Sequence, residues 1–142
     1  LPPEKYLTGR TTTSTTVVAG PQVPDWVKNT VKATGSGVKP ETAENEAQAK
    51  LMALRAAKLD AMRNISEQIN GLRIDANTTV KDFVATNDQI RTEMDNYLTG
   101  VKTVSEKYDA TTGEAQVEIE APLEQFWNIV VKYRKEVRIE SR

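Results

Sequence analysis

Glu118 and Glu120 are the residues of this sequence best spaced for acid–base work. A spacing of two along an extended strand puts both carboxylates on one side, while Val117, Ile119 and Ala121 take the other. General acid–base catalysis needs such a group tuned by burial or by a partner, and the usual partners are missing, because the chain contains no His and no Cys. Their absence excludes disulfides, thiolate and imidazole metal sites, cysteine nucleophiles and every triad built on a histidine base. Asp75, Asp82, Asp88 and Asp95 are scattered and lack the close odd spacing and central glycine of a calcium loop. Gly35 and Gly37 stand in Val-Lys-Ala-Thr-Gly-Ser-Gly-Val without the Gly-Lys-[Ser/Thr] ending of a phosphate-cradling loop. The glutamate pair therefore reads as a solvated strand face and the aspartates as caps. A protein that is not an enzyme and that uses no cofactor or metal is expected.

The elements that position these residues can be read along the chain. From Val31 to Val38 the pattern alternates, and its two glycines predict a strand that bends or is closely approached by another backbone. Pro40 and Thr42, with Glu41, Glu44 and Glu46 behind them, open a long helix that Asn70-Gly71 closes. Its apolar stripe is read as Ala47, Leu51, Leu54, Ala61, Met62, Ile65 and Ile69. The further alanines Ala43, Ala53, Ala56 and Ala57 permit close approach by a sheet or helix and predict burial on a second side. Leu72 to Lys81 alternates and predicts a strand with one buried face. Thr86 with Gln89 forms a capping-box pattern for a short helix carrying Ile90, Met94, Tyr97 and Leu98. Val101 to Tyr108 and Glu114 to Ala121, joined by Asp-Ala-Thr-Thr-Gly, predict a hairpin. Leu123, Phe126, Trp127, Val130 and Val131 form a last helical stripe, after which the chain turns polar.

With 142 residues, 38% hydrophobic and 27% charged, the chain suits one domain with a modest core. The reading is an α+β fold: a long helix packed on a small, mainly antiparallel sheet of about four strands, with an extended N-terminal arm and a C-terminal helix. Residues 1–30 form the Pro- and Thr-rich arm or tether, 31–131 the α+β domain, and 132–142 a polar basic tail. Such a sheet has exposed edges, which favours self-assembly.

The arm is the candidate partner for an edge. Thr12, Thr13, Thr15, Val17 and Val18 lie in a stretch whose β-branched side chains suit a pleated surface, so it either adds as a strand or serves as a spacer. Trp26 is where the chain first docks on the globular part, and Phe126 and Trp127 are core or interface anchors. Overall charge is -1, yet residues 1–40 carry a balance of +3, residues 41–131 one of -7 and residues 132–142 one of +3. Either this is a surface accident, or basic ends of one subunit dock on the acidic body of the next and association weakens with salt. Too few aromatics and no basic face argue against nucleic acid. No run is long and apolar enough to span a membrane.

One resemblance joins these segments. The run Ala53-Leu54-Arg55-Ala56-Ala57-Lys58, leading through Ala61 to Glu67-Gln68-Ile69-Asn70-Gly71, then Thr78-Thr79-Val80-Lys81-Asp82, then Gly100-Val101, resembles the bacterial lipoprotein-20 family over roughly residues 31–122. The resemblance implies a long helix on a small sheet and a non-enzymatic, self-assembling protein of the outer membrane, periplasm or cell surface. It also implies rings or disks, as built around the flagellar motor by better-studied members, with other envelope or flagellar proteins as partners. Family members begin with an acylated cysteine and this sequence holds none, so either a lipid anchor preceding Leu1 supplies the only membrane attachment, or this member is secreted without lipid and is extracellular. The family has no catalytic residues to carry over. The alternative from another class is a small oligomeric module that holds a hydrophobic or aromatic ligand between subunits.

Overall fold

The computed structural model describes residues 23–140, with side chains described as far as residue 134. The chain enters through one turn of 3-10 helix, Asp25–Lys28, and continues as β1 (Thr30–Val38) and α1 (Glu46–Asn70). There follow α2 (Val80–Val84), α3 (Asp88–Thr99), β2 (Lys102–Asp109), β3 (Glu114–Pro122) and α4 (Leu123–Glu140). The three strands form one antiparallel sheet in the order β1-β3-β2. Helices packed on a small antiparallel sheet make this an α+β fold, as the sequence predicts.

Alternation fixes which face of the sheet is dry. Along β3, Ala115, Val117, Ile119 and Ala121 are buried, while Glu114 and Gln116 are exposed. Ala33, Gly35 and Gly37 continue the buried face on β1. α1 lies across this face with Ala49, Ala53, Ala57, Ala61, Ile65 and Ile69, a strict repeat of four. That stripe differs from the predicted one, since Ala47 and Leu51 are exposed, Leu51 at 49%. The reason is steric. A Cβ on Gly35 would stand 2.1 Å from the Ala61 nitrogen, and one on Gly37 would stand 2.5 Å from the Ala53 carbonyl oxygen. Backbones this close leave no room for a leucine, so the alanines take the contact and Leu51 and Leu59 face outward, while Leu54 packs at the margin of the core.

The helix starts are set by asparagines. The Asn45 side chain accepts the Gln48 N–H at 2.8 Å, so α1 begins later than Thr42. Asn87 accepts the Ile90 N–H at 2.8 Å, so Asn87, and not Thr86, caps α3. Each satisfies one of the orphan donors of a helix N-terminus.

Leu72 to Lys81 is not a strand. Ile74 N–H donates to the Thr78 carbonyl at 2.9 Å, and the Asp75 carboxylate accepts the Asn77 N–H at 2.8 Å, which reverses the chain within a few residues. Only the single bridge Arg73–Thr79 remains of a ladder, and Thr79 then caps α2 by accepting from the Asp82 N–H. The sheet accordingly has three strands. The hairpin between β2 and β3 follows the prediction: Gly113 adopts φ +75°, and its N–H donates to the Asp109 carbonyl at 2.7 Å.

α4 runs through Lys132 to Glu140 instead of leaving at Lys132. Tyr133 continues the spacing of Phe126 and Val130 and is buried among the same residues, which holds the helix against the domain.

Candidate functional site

The two edges of the sheet are chemically unlike. Asp60, Asn64 and Gln68 recur at one-turn spacing beside the alanine stripe of α1 and reach over the outer edge of β1. The Asp60 carboxylate accepts the Ser36 N–H at 2.9 Å, Asn64 Nδ2 donates to the Thr34 carbonyl at 2.8 Å, and Gln68 Nε2 donates to the Lys32 carbonyl at 3.0 Å. Three of the backbone groups that Lys32, Thr34 and Ser36 turn outward are thus satisfied by side chains of this same chain, which partly covers the edge. Reasoning from the sequence missed this ladder, although polar residues at four-residue spacing beside a small-residue stripe were its visible signal.

The opposite edge carries no such cover. Since Lys32, Thr34 and Ser36 point outward, Ala33, Gly35 and Gly37 bond to β3, and alternation passes through Gln116 and Glu118 to Lys107 and Ser105 on β2. The N–H and C=O groups of Glu106 and Tyr108 consequently face away from β3. Among the described residues they receive no hydrogen bond. β2 bears a register shift between Thr103 and Ser105, and Val104 there is 40% exposed. Tyr108 anchors the strand to the start of α1 by donating its hydroxyl to Glu46 at 2.8 Å. Partial burial and that carboxylate push its phenol pKa up.

Glu118 and Glu120 sit on the polar face of the sheet, away from α1. Glu120 lies between Lys32 and Lys102 in register, and Glu118 between Thr34 and Ser105. This is a solvent face of mixed charge, with a shallow depression of about 160 Å³ lined by Thr34, Ser105, Lys107, Gln116, Val117 and Glu118. Among the described residues no group of three or more acidic side chains is placed to hold a metal ion, and no helix is long and apolar enough to cross a membrane.

The aromatic residues predicted as interface anchors are used inside the chain. Phe126 and Trp127 are buried in its own core. Trp26 packs on both, at 6.4 Å between ring centroids for Phe126 and at 5.7 Å edge-on for Trp127, and its Nε1 donates to the Arg73 carbonyl at 2.9 Å. The three therefore fasten the N-terminal lead-in to α4, with Trp26 half-buried. Tyr97 completes the cluster at 5.8 Å from Phe126 and donates its hydroxyl to the Pro122 carbonyl at 2.9 Å; burial pushes its pKa up to about 12. Thr12, Thr13, Thr15, Val17 and Val18 lie outside the described residues.

α3 and α4 meet over Glu93. Tyr133 donates its hydroxyl to the Glu93 carboxylate, and Lys132 Nζ lies 3.2 Å from it. The tyrosine hydrogen bond first, then the lysine, holds the Glu93 carboxyl below its ordinary range against the opposing effect of burial. An open depression of about 340 Å³ beside this pair is lined by Asp88, Gln89, Thr92, Glu93 and Tyr133.

The chain belongs to the LPP20 lipoprotein family, whose model matches residues 3–122. Membership makes it a bacterial lipoprotein by family and associates it with the cell envelope. No curated protein matches the chain.

Proposed function

We propose that the protein is a non-enzymatic structural component of the bacterial envelope, at the outer membrane, in the periplasm or at the cell surface, that self-assembles into a ring, disk or filament. The observation that supports this reading is the asymmetry of the sheet: one edge is partly covered by Asp60, Asn64 and Gln68, while among the described residues nothing covers Glu106 and Tyr108 on the other. A one-sided edge of this kind supports directional association. The mixed-charge face around Glu118 and Glu120 is suited to solvation and not to acid–base work, which supports a role without catalysis. Assembly beside the flagellar motor, with other envelope proteins as partners, is the narrower form of the proposal and follows the family resemblance.

Electron microscopy and light scattering of the purified full-length chain test it. Large rings, disks or fibres are expected. Uniform monomers of 15.8 kDa at high protein concentration would overturn it. Co-purification of an apolar small molecule with a small, defined oligomer would favour the ligand-binding alternative instead.

A further inference from the structure

We propose that the open edge of β2 receives residues Thr11–Val18 of a neighbouring copy as a fourth strand. This rests on the assembly reading above and names its contact. Glu106 and Tyr108 offer two N–H and two C=O groups pointing away from β3, and no described residue answers them. An added strand supplies the missing partners through main-chain hydrogen bonds, the general mode by which an extended segment joins a sheet edge.

Three features select this occupant. The segment Thr11–Val18 has no charge and no proline, and every residue but Ser14 is β-branched, a composition that fits a pleated surface. Its eight residues equal the length of β2. Pairing of β2 with β2 of a second copy is the competing arrangement, and charge disfavours it. A two-fold register centred on Glu106 sets glutamate against glutamate, one centred on Lys107 sets lysine against lysine, and one centred on Ser105 runs through the register shift at Thr103–Ser105. Like charges directly opposite one another destabilise a strand pair. The uncharged arm meets none of these conflicts.

The sense of the pairing follows from the ends. An arm lying antiparallel to β2 brings Val17 and Val18 to the Lys102 end of the strand, where Val104 is 40% exposed and has no apolar neighbour required by β3. Residues 19–24 link Val18 to the 3-10 helix at Asp25, enough chain to span about 20 Å when extended. β2 lies two strand spacings, about 10 Å, from β1 in the same sheet, so this reach allows the arm to meet its own β2 or a neighbour's, and the cross-link below separates the two.

Two variants of the full-length chain and one cross-link decide the matter. Glu106→Pro removes an N–H that β3 does not use, so the edge is blocked while the ladder is kept. Thr13→Pro with Thr15→Pro keeps the arm's length and spoils it as a strand. Both variants are expected to retain the wild-type circular dichroism and to lose assembly at least tenfold by light scattering. The chain has no cysteine of its own, so mixing Thr15→Cys with Glu106→Cys single variants reports directly on the pair, and intermolecular disulfide dimers are expected. Monomeric wild-type protein would overturn the assembly reading together with this contact. Assembly that survives Glu106→Pro, or that is lost in Glu106→Pro yet survives the double proline variant, would overturn the arm as occupant while leaving self-assembly intact. A Thr15→Cys/Glu106→Cys double variant that closes only within one chain would do the same.

Discussion

Gly35 of β1 and Ala57 of α1 meet backbone to backbone: a Cβ on the glycine would stand 2.2 Å from the Ala57 carbonyl oxygen. No side chain end can yield at this contact, because the nearest atoms, Ala61 N and Ala57 O, belong to the helix backbone. The whole of α1 would have to lift for a methyl group to enter. Gly35→Ala is therefore expected to lower stability by about 3 kcal/mol or more, at the upper end of what overpacking costs. Urea denaturation followed by circular dichroism checks this. Gly37→Ala should behave in the same direction, since its Cβ would meet the Ala53 carbonyl at 2.5 Å.

Most of the layout was legible in the sequence, and the misreadings share one cause. The long helix, the first strand, the hairpin and the last helix all carry periodicities that survive in the structure. The two glycines correctly announced a close backbone approach. What failed was the weighting of hydrophobicity over size: Leu51 looked like part of the core face of α1, whereas the glycines opposite admit only alanine. Leu72 to Lys81 failed for a different reason. Its alternation of apolar and polar residues is shared by a strand and by a tight reversal, and Asp75 and Thr79 decide for the reversal by bonding to nearby backbone N–H groups. Thr79-x-x-Asp82 was a helix-start signal lying inside the predicted strand. The open and partly covered edges of the sheet depended on which side chains of α1 reach across β1, and that is a tertiary fact with only a spacing of polar residues to announce it.

Partial cover of the β1 edge makes a second prediction. Asp60, Asn64 and Gln68 each satisfy one backbone group of β1, and a hydrogen bond of this kind contributes about 1 kcal/mol net. Replacing all three by alanine should cost about 2 to 3 kcal/mol, allowing for their exposure to water. It should also uncover a second pairing edge. The triple variant is expected to aggregate through β-structure on mild heating, read as thioflavin fluorescence, while wild-type protein does not. Unchanged aggregation together with unchanged stability would show that the ladder is decorative.

Glu93 predicts a pH dependence with a definite sign. Its folded pKa lies below the ordinary value of 4.5, because Tyr133 and Lys132 favour the carboxylate. A group with a depressed folded pKa adds stability above its unfolded pKa and loses that contribution as the pH falls through the folded one. Glu93→Gln is thus expected to be less stable than wild type at neutral pH. The gap should stay constant down to about pH 5 and close progressively below that. Thermal unfolding of both proteins over that range measures it, and a gap that widens on acidification would contradict the assignment.

Tyr97 gives the last test, at the alkaline end. Burial raises its phenol pKa to about 12, and its hydroxyl donates to the Pro122 carbonyl at the junction of β3 and α4. Of the four tyrosines in the chain, Tyr97 should ionise well above the ordinary value of 10.0. Because its folded pKa is raised, the stability it contributes is fully present below pH 10 and is lost as the pH rises through the folded value. Phenolate absorbance should show a late component, to which Tyr108 with its raised pKa also contributes, and Tyr97→Phe should remove the latest part of it. The same substitution deletes the bond to Pro122, at a cost of about 1 kcal/mol, and leaves the ring against Phe126 at the existing centroid distance of 5.8 Å. Loss of the latest part with a small loss of stability would place the buried hydroxyl where the structure has it; an early, reversible titration of all four tyrosines would mean that the seam between the sheet and α4 admits water.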